Sequence, residues 1–154
     1  MPDIISNTIQ LHVACLDDNI WKYLVLKRAS NLVVYPDLWQ VVTGRIEKKE
    51  QAASTAIREL KEETGIVLPY ELFVLPFTAS FFNAELDRIS LIPVFGVIIP
   101  DLVQIRLSEE HQAFEWHSYS SCLQKLELPS HRQGTTIFKE YVIENSNNLI
   151  YKIS

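Results

Sequence analysis

A chain of 154 residues is long enough to close one domain around a sizeable core, and a hydrophobic content of 47% fits a globular protein rather than a disordered one. A net charge of −5 and an isoelectric point near 5.3 argue against stable binding to nucleic acid, which asks for a basic face. No run approaches the roughly 18 apolar residues of a membrane span, and Met1 to Asn7 lacks the charged-then-apolar layout of a secretory signal, so a cytoplasmic protein without a membrane anchor is expected.

Thr8 to Leu16 is rich in β-branched and apolar residues, Asp17-Asp18-Asn19 reads as a turn, and Ile20 to Lys27 as a second strand, so these runs form a hairpin. Ala29 to Asn31 and Pro36-Asp37 bracket a loop, after which Leu38 to Val42 forms a short strand that delivers Gly44. A helix is predicted from about Gln51 to Thr64, closed by Gly65 as the left-handed residue after its last turn, with Pro69 as the next break. Tyr70 to Phe82 and Ile89 to Ile99 are β-rich runs joined by a polar link of hairpin type, and Pro93 inside the second implies an edge position or a bulge.

Further on, Ala113 to Trp116 is a strand, Tyr119 to Leu126 a short helix, and His131 to Asn145 a C-terminal helix carrying Ile137, Tyr141 and Val142 at near-helical spacing. Leu149 to Ile153 ends as a strand or tail. There is no internal repeat, and strands mixed with two substantial helices predict an α/β sandwich of one domain over residues 1–154, a mixed sheet between helices. Cys15 and Cys122 stand in no CxxC or metal-ligand spacing and read as free thiols of a reducing compartment.

The chemistry concentrates in the first helix. Glu59, Glu62 and Glu63 share one stripe of its surface, since i, i+3 and i+4 are neighbours there. Like charges at i,i+4 cost an isolated helix roughly 0.2–0.5 kcal/mol, and Arg58 reaches only Glu62 at the favourable spacing. A hard divalent cation would relieve the rest, and magnesium takes oxygen ligands of this kind beside a phosphate-bearing substrate. Ala53, Ala56, Ile57, Leu60 and Thr64 form an adjacent stripe expected to bury. Gly44 has no side chain, so its backbone can approach a ligand closely. An arbitrary cluster of glutamates on a helix is usually no more than a solvated face; here the wider spacing decides.

Gly44, five residues, Glu50, seven residues, Arg58-Glu59-Leu60, one residue, Glu62-Glu63, one residue, Gly65-Ile66: this pattern resembles the complete signature of the Nudix hydrolases. The resemblance implies a Nudix-type αβα sandwich and hydrolysis of a nucleoside diphosphate linked to another group, with Mg²⁺ or Mn²⁺ as the ion. It implies Glu59, Glu62 and Glu63 as metal ligands, the Thr43 carbonyl as a further ligand, and Arg58 and Glu50 as the pair that orients them. Glu110, six residues before Trp116, is similar to an extra glutamate that some members bring to the metal. Glu59, Glu62, Arg58 and Glu110 are therefore the expected catalytic set. His111 beside them reads as a hydrogen-bonded surface histidine rather than a base.

For the substrate, a small phosphorylated metabolite, Lys27 and Arg28 at a strand end offer cations for phosphates. Trp39 and Phe81 are candidates to stack on a ring, although core burial is the commoner fate of such aromatics. Trp39 to Gly44, Glu110-His111 and His131-Arg132-Gln133 are similar to the branch of the family that acts on dihydroneopterin triphosphate and deoxynucleoside triphosphates such as dATP. Dinucleoside polyphosphates, ADP-ribose and a non-catalytic nucleotide sensor are alternatives, and the protein is expected to be a monomer or homodimer.

Overall fold

Period-two alternation along the β-branched runs produces one mixed eight-stranded sheet. In the computed structural model, which describes residues 1–153, its strands are β1 (Asp3–Ile5), β2 (Thr8–Asp17), β3 (Ile20–Arg28), β4 (Trp39–Gln40), β5 (Val42–Arg45), β6 (Glu71–Asn83), β7 (Arg88–Ile99) and β8 (His111–His117). β7 runs parallel to β1 and β2 on one side and antiparallel to β6 on the other. The helices are α1 (Ala52–Thr64), α2 (Tyr119–Lys125) and α3 (Pro129–Phe138).

One departure from a regular sheet positions everything that follows. β2 and β3 pair only next to their turn, Ala14–Asp17 against Ile20–Tyr23, and then part. The chain from Trp39 to Arg45 enters the gap, β4 pairing with β3 and β5 with β2. The single strand predicted from Leu38 to Val42 is thus two short pieces with different partners. β8 lies on the outer side of β3, which brings the start of β8 and the β4–β5 segment to the same end of β3.

The core has two halves, one on each face. On the first, Ala56 and Leu60 of α1 pack on Leu11, Leu26, Phe95 and Val97. On the second, Cys122 and Phe138 pack on Tyr23, Val25, Phe73 and Val94. These two layers around the sheet make the sandwich that the sequence predicts.

Beneath α3 the sheet is polar. Gln10 and His12 of β2 are buried, and Gln10 Nε2 donates to His12 Nε2 (2.8 Å) and to the Ser130 carbonyl (3.0 Å). The remaining ring proton of His12 then sits on Nδ1, 3.3 Å from Thr135 Oγ1, which itself donates to the His131 carbonyl (2.9 Å). Gly134 permits this contact, because a Cβ there would fall 2.5 Å from Gln10 Nε2.

Several boundaries differ from the expectation. The C-terminal helix is α-helical only from Pro129 and passes into a π turn at Lys139–Ile143, while Leu149–Ile153 holds a 3-10 turn and one bridge from Lys152 to Phe73. β1 escaped the periodicity because three residues carry too little pattern. Pro93 sits where β6 bulges between Val74 and Thr78, so its missing N–H breaks no regular ladder. Among the described residues, no helix is long and apolar enough to cross a membrane.

Candidate active site

Helix α1 meets the sheet along a face that keeps Ala56, Leu60 and Thr64 of its apolar stripe but is turned towards the glutamates. Thr55, Ala56, Glu59, Leu60, Glu63 and Thr64 are buried, whereas Ile57 is exposed. Counting only apolar residues misplaces the buried face, since two of the three glutamates turn towards the sheet. Glu62 stays at the open edge, its side chain 56% exposed against 11% for Glu59 and 5% for Glu63.

Arg58 organises the entrance to this face with all five of its donors. Nε and Nη2 grip the Glu50 carboxylate in a two-pronged contact (2.9 and 3.0 Å), and Nη2 also donates to the Arg45 carbonyl (2.9 Å). Nη1 donates to Glu59 Oε1 (2.8 Å) and Glu62 Oε2 (3.1 Å). Helical spacing finds the second of these contacts and misses the first, because an i,i+1 pair meets only when the side chain curls back. Glu50 also accepts from Thr55 Oγ1 (2.6 Å) and the Glu47 amide (3.1 Å). With these donors around it, the Glu50 carboxyl is pulled down to about 2, chiefly by Arg58.

Gly44 of β5 packs on Glu59, and a Cβ there would fall 2.6 Å from Glu59 Oε1. The close approach foreseen for this glycine is therefore made to a carboxylate of the protein itself. Thr43 lies one residue earlier on β5, opposite Gln10.

Glu59, Glu62 and Glu63 line one cleft of about 370 Å³ with Ser108, Glu109 and Glu110. The loop before β8 thus brings Glu110 to the helix carboxylates across 47 residues of chain, as its spacing from Trp116 suggests. Burial, then the charges of Glu59 and Glu110, hold the Glu63 carboxyl well above the usual carboxylate range. Burial raises Glu59 as well, and Arg58 counters it. Among the described residues, no three such side chains are drawn in as a closed ligand set. The cleft nevertheless fits a divalent ion by its donors, which are all oxygen, and by Glu63 Oε2, a buried atom without a hydrogen-bond partner.

His111 is buried, not a surface residue: its side chain is 0% exposed and stands against Glu63. Its Nε2 lies 2.9 Å from the Gln40 amide nitrogen, and its Nδ1 lies 3.8 Å from Glu63 Oε2. Burial lowers its pKa to about 4, so the ring is neutral at neutral pH. Neither residue type nor spacing marks Gln40 in the sequence, because its partner His111 lies 71 residues away.

The residues expected to meet the substrate scatter. Arg28 is turned to its own loop, donating from Nε and Nη2 to the Val34 and Tyr35 carbonyls at 2.9–3.2 Å, and it does not line the acidic cleft. Lys27 lies over the Trp39 ring at 6.0 Å, and Lys125 lies over the same ring at 4.4 Å. Trp39 is half-buried, its amide donating to Glu127 (3.1 Å), and it does not line the acidic cleft. Phe81 is 55% exposed and pairs with Ser90, outside both the cleft and the apolar groove.

That groove, about 580 Å³, is lined by Phe77 of β6, by Leu123 and Pro129, and by Arg132, Gln133 and Thr136 of α3. Phe77 shares its side of β6 with Phe81 by alternation, and only the nearer of the two reaches α3. A hydrogen bond ties the groove's helix to the β4–β5 segment, since the Val41 amide donates to His131 Nδ1 (3.3 Å) next to Gln40.

Fold and cleft together define a class of protein: an α/β sandwich whose helix carboxylates, fixed by one arginine, gather at the end of a parted hairpin. The chain belongs to the Nudix hydrolase family, and the model of the NUDIX domain matches residues 10–136. It is 34% identical to the asymmetrical bis(5'-nucleosyl)-tetraphosphatase of Rattus norvegicus over 105 residues, 64% of this chain and 66% of that protein. It is 38% identical over 97 residues, 62% of its length, to an octanoyltransferase of Myxococcus xanthus, of which the match spans 27%. Among solved structures, it is similar to the E. coli dihydroneopterin triphosphate pyrophosphohydrolase with a TM-score of 0.72 and 26% identity, covering 90% of this chain and 95% of that one.

Proposed function

We propose that this protein hydrolyses a phosphoanhydride bond in a (deoxy)nucleoside triphosphate such as dATP, or in dihydroneopterin triphosphate, with Mg²⁺ or Mn²⁺, releasing a monophosphate and pyrophosphate. The observation that carries this reading is the meeting of Glu59, Glu62, Glu63 and Glu110 in one cleft, with Arg58 spending every donor on the surrounding carboxylates and loop.

A bound divalent ion supplies charge neutralisation for the phosphates and acidifies an attacking water. Glu59 and Glu63, buried against the sheet, would hold the ion, and the Thr43 carbonyl beside Gly44 would be a further ligand. Glu62 and Glu110 lie at the exposed side of the cleft, where a carboxylate would accept the proton of the attacking water. Arg58 fixes Glu59 and Glu62 so that neither swings to solvent when the phosphates arrive.

The groove between Phe77 and α3 suits the ring of a base or pterin, with Arg132 and Gln133 available for its edge. Lys27 and Lys125 beside Trp39 are the cations best placed to meet phosphates along the way. The name of the rat relative supports a second reading, a dinucleoside polyphosphate as substrate.

A panel of dATP, the other nucleoside triphosphates, dihydroneopterin triphosphate, diadenosine polyphosphates and ADP-ribose, incubated with Mg²⁺ and resolved by product, tests both. Pyrophosphate and monophosphate from a triphosphate are expected. Saturable binding without turnover anywhere in the panel would instead make the protein a nucleotide sensor.

A further inference from the structure

Two polar atoms face each other behind the acidic cleft, and neither has a hydrogen-bond partner: Glu63 Oε2 and His111 Nδ1, 3.8 Å apart and both buried. This is too long for a hydrogen bond. Orphaned buried polar groups are uncommon, and two within reach of one another are complementary only if one donates and the other accepts.

Gln40 settles which does what. Its amide nitrogen lies 2.9 Å from His111 Nε2, and an amide nitrogen only donates, so Nε2 is the acceptor and the ring proton is on Nδ1. Were the Gln40 amide reversed, its oxygen would take a proton from Nε2 and leave the Nδ1 lone pair pointing at a carboxylate, acceptor against acceptor. The close packing of β4 and β8 on either side of β3 keeps both residues where they are, Gln40 at 4% and His111 at 5% exposure.

We propose that His111 is the positioning residue of Glu63: held by Gln40, it presents Nδ1–H to Glu63 Oε2 across a gap that closes to a hydrogen bond when an ion is held in the cleft, and so turns the other carboxylate oxygen towards that ion. This rests on the reading of Glu63 as an ion ligand given above. A neutral donor at this point stabilises the ionised carboxylate without adding a charge that would compete with the ion. It also links the parted hairpin to the loop of Glu110, since the two partners of His111 come from β4 and α1 while its neighbour Glu110 lines the cleft.

Two substitutions separate the two ends of the ring. In His111→Asn the side-chain amide occupies the level of Nδ1 and can still donate to Glu63, losing Gln40. In His111→Gln the amide reaches the level of Nε2, meets Gln40 and leaves Glu63 alone. Mg²⁺ and Mn²⁺ affinities of the purified full chain, measured by titration calorimetry, should fall by about 10–100-fold in His111→Gln and stay within about threefold of wild type in His111→Asn. Thermal unfolding of both reports any general damage.

Equal losses in the two variants, or none in either, would overturn the proposal. Ring ¹⁵N shifts of His111 in the unmodified Mg²⁺-loaded protein give a check that needs no variant: a proton on Nδ1 is expected, and the opposite tautomer sinks the idea. Glu63→Gln distinguishes the two levels of inference. If that variant binds Mg²⁺ as wild type does, the reading of Glu63 as a ligand fails and the role of His111 falls with it. If it loses the ion while His111→Gln keeps it, only the role of His111 is wrong.

Discussion

Gly44 lies flat against the side chain of Glu59, close enough that a methyl group in its place would stand 2.6 Å from a carboxylate oxygen. The glycine is thus the wall that presses a buried acid into the cleft. Gly44→Ala should displace Glu59 and lower kcat by about 100-fold, the order of loss that a shift of ~1 Å in a reacting group brings. Steady-state kinetics with the best substrate of the panel measures it, and a Gly44→Ala enzyme of unchanged kcat would remove this role.

Arg58 and Glu50 act as one clamp. Arg58→Lys keeps the charge but offers three donors from one point instead of a planar fork, so it cannot hold Glu50, Glu59, Glu62 and the Arg45 carbonyl together. A loss of about 10–100-fold in Mg²⁺ affinity is expected, read from the Mg²⁺ dependence of turnover and from calorimetry. Glu50→Gln should do the same in lesser degree, since Thr55 and Glu47 still have an oxygen to donate to.

Glu63 sets function against stability. Its folded-state pKa is raised, so in the ion-free protein it contributes stability that is present below the ordinary carboxylate range and lost as pH rises above it. Glu63→Gln puts a permanently neutral group in the buried site, so that folding at neutral pH no longer has to take up a proton there. Turnover should fall by orders of magnitude, while the ion-free variant gains about 0.5–2 kcal/mol at neutral pH. Glu62→Gln, at the exposed edge, should lose turnover without that gain. Urea unfolding in chelator, beside activity assays, separates the two.

The buried histidines predict an acid limb in stability. Burial lowers His12 to about 3 and His131 to about 4, in His12 with help from the nearby His131. A base with a depressed folded pKa contributes stability that is complete above its unfolded value of 6.5 and is lost as pH falls towards the folded value. Between pH 6.5 and about 4 the unfolding free energy measured with Mg²⁺ should therefore drop with a slope of ~1.4 kcal/mol per pH unit for each histidine that charges on unfolding. Replacing His12 by Gln should flatten the limb by about one proton; a slope left as steep as before would show that His12 takes no part.

Gly134 offers a test of the polar layer beneath α3. An alanine in a helix normally improves stability by ~1 kcal/mol over glycine. Here its methyl would meet Gln10 and His12, so Gly134→Ala should destabilise by about 1–3 kcal/mol, seen as a lower urea midpoint.

The sequence carried the spacing of the acids because α1 is local structure: i, i+3 and i+4 lie on one stripe wherever a helix forms, and Gly65 closes that helix where the pattern says it should. Local reading also placed the β2–β3 hairpin and gave Pro93 an edge position or a bulge, of which the bulge is found, whereas Glu110 is marked only by the family resemblance. Local reading failed for Ile57. An apolar stripe says which residues prefer burial and not which face the sheet covers, and a strand-end cation such as Arg28 can clamp its own loop, which spacing does not foresee. Phe77 lines the groove beside α3 and Phe81 does not, because alternation gives a side of the strand and not the point at which α3 crosses it.

What the amino-acid order determined by itself was therefore the common stripe of the three acids, the helix that carries them and the mixture of strands and helices that makes the sandwich, each a matter of short-range period. Only the tertiary structure decided that Glu59 and Glu63 are buried while Glu62 is open, that Arg58 reaches Glu59, and that Gln40 and His111 meet across 71 residues. Those contacts depend on β2 and β3 parting to admit the chain between them. Such a gap arises from the packing of distant strands, which leaves no periodic trace in any one segment.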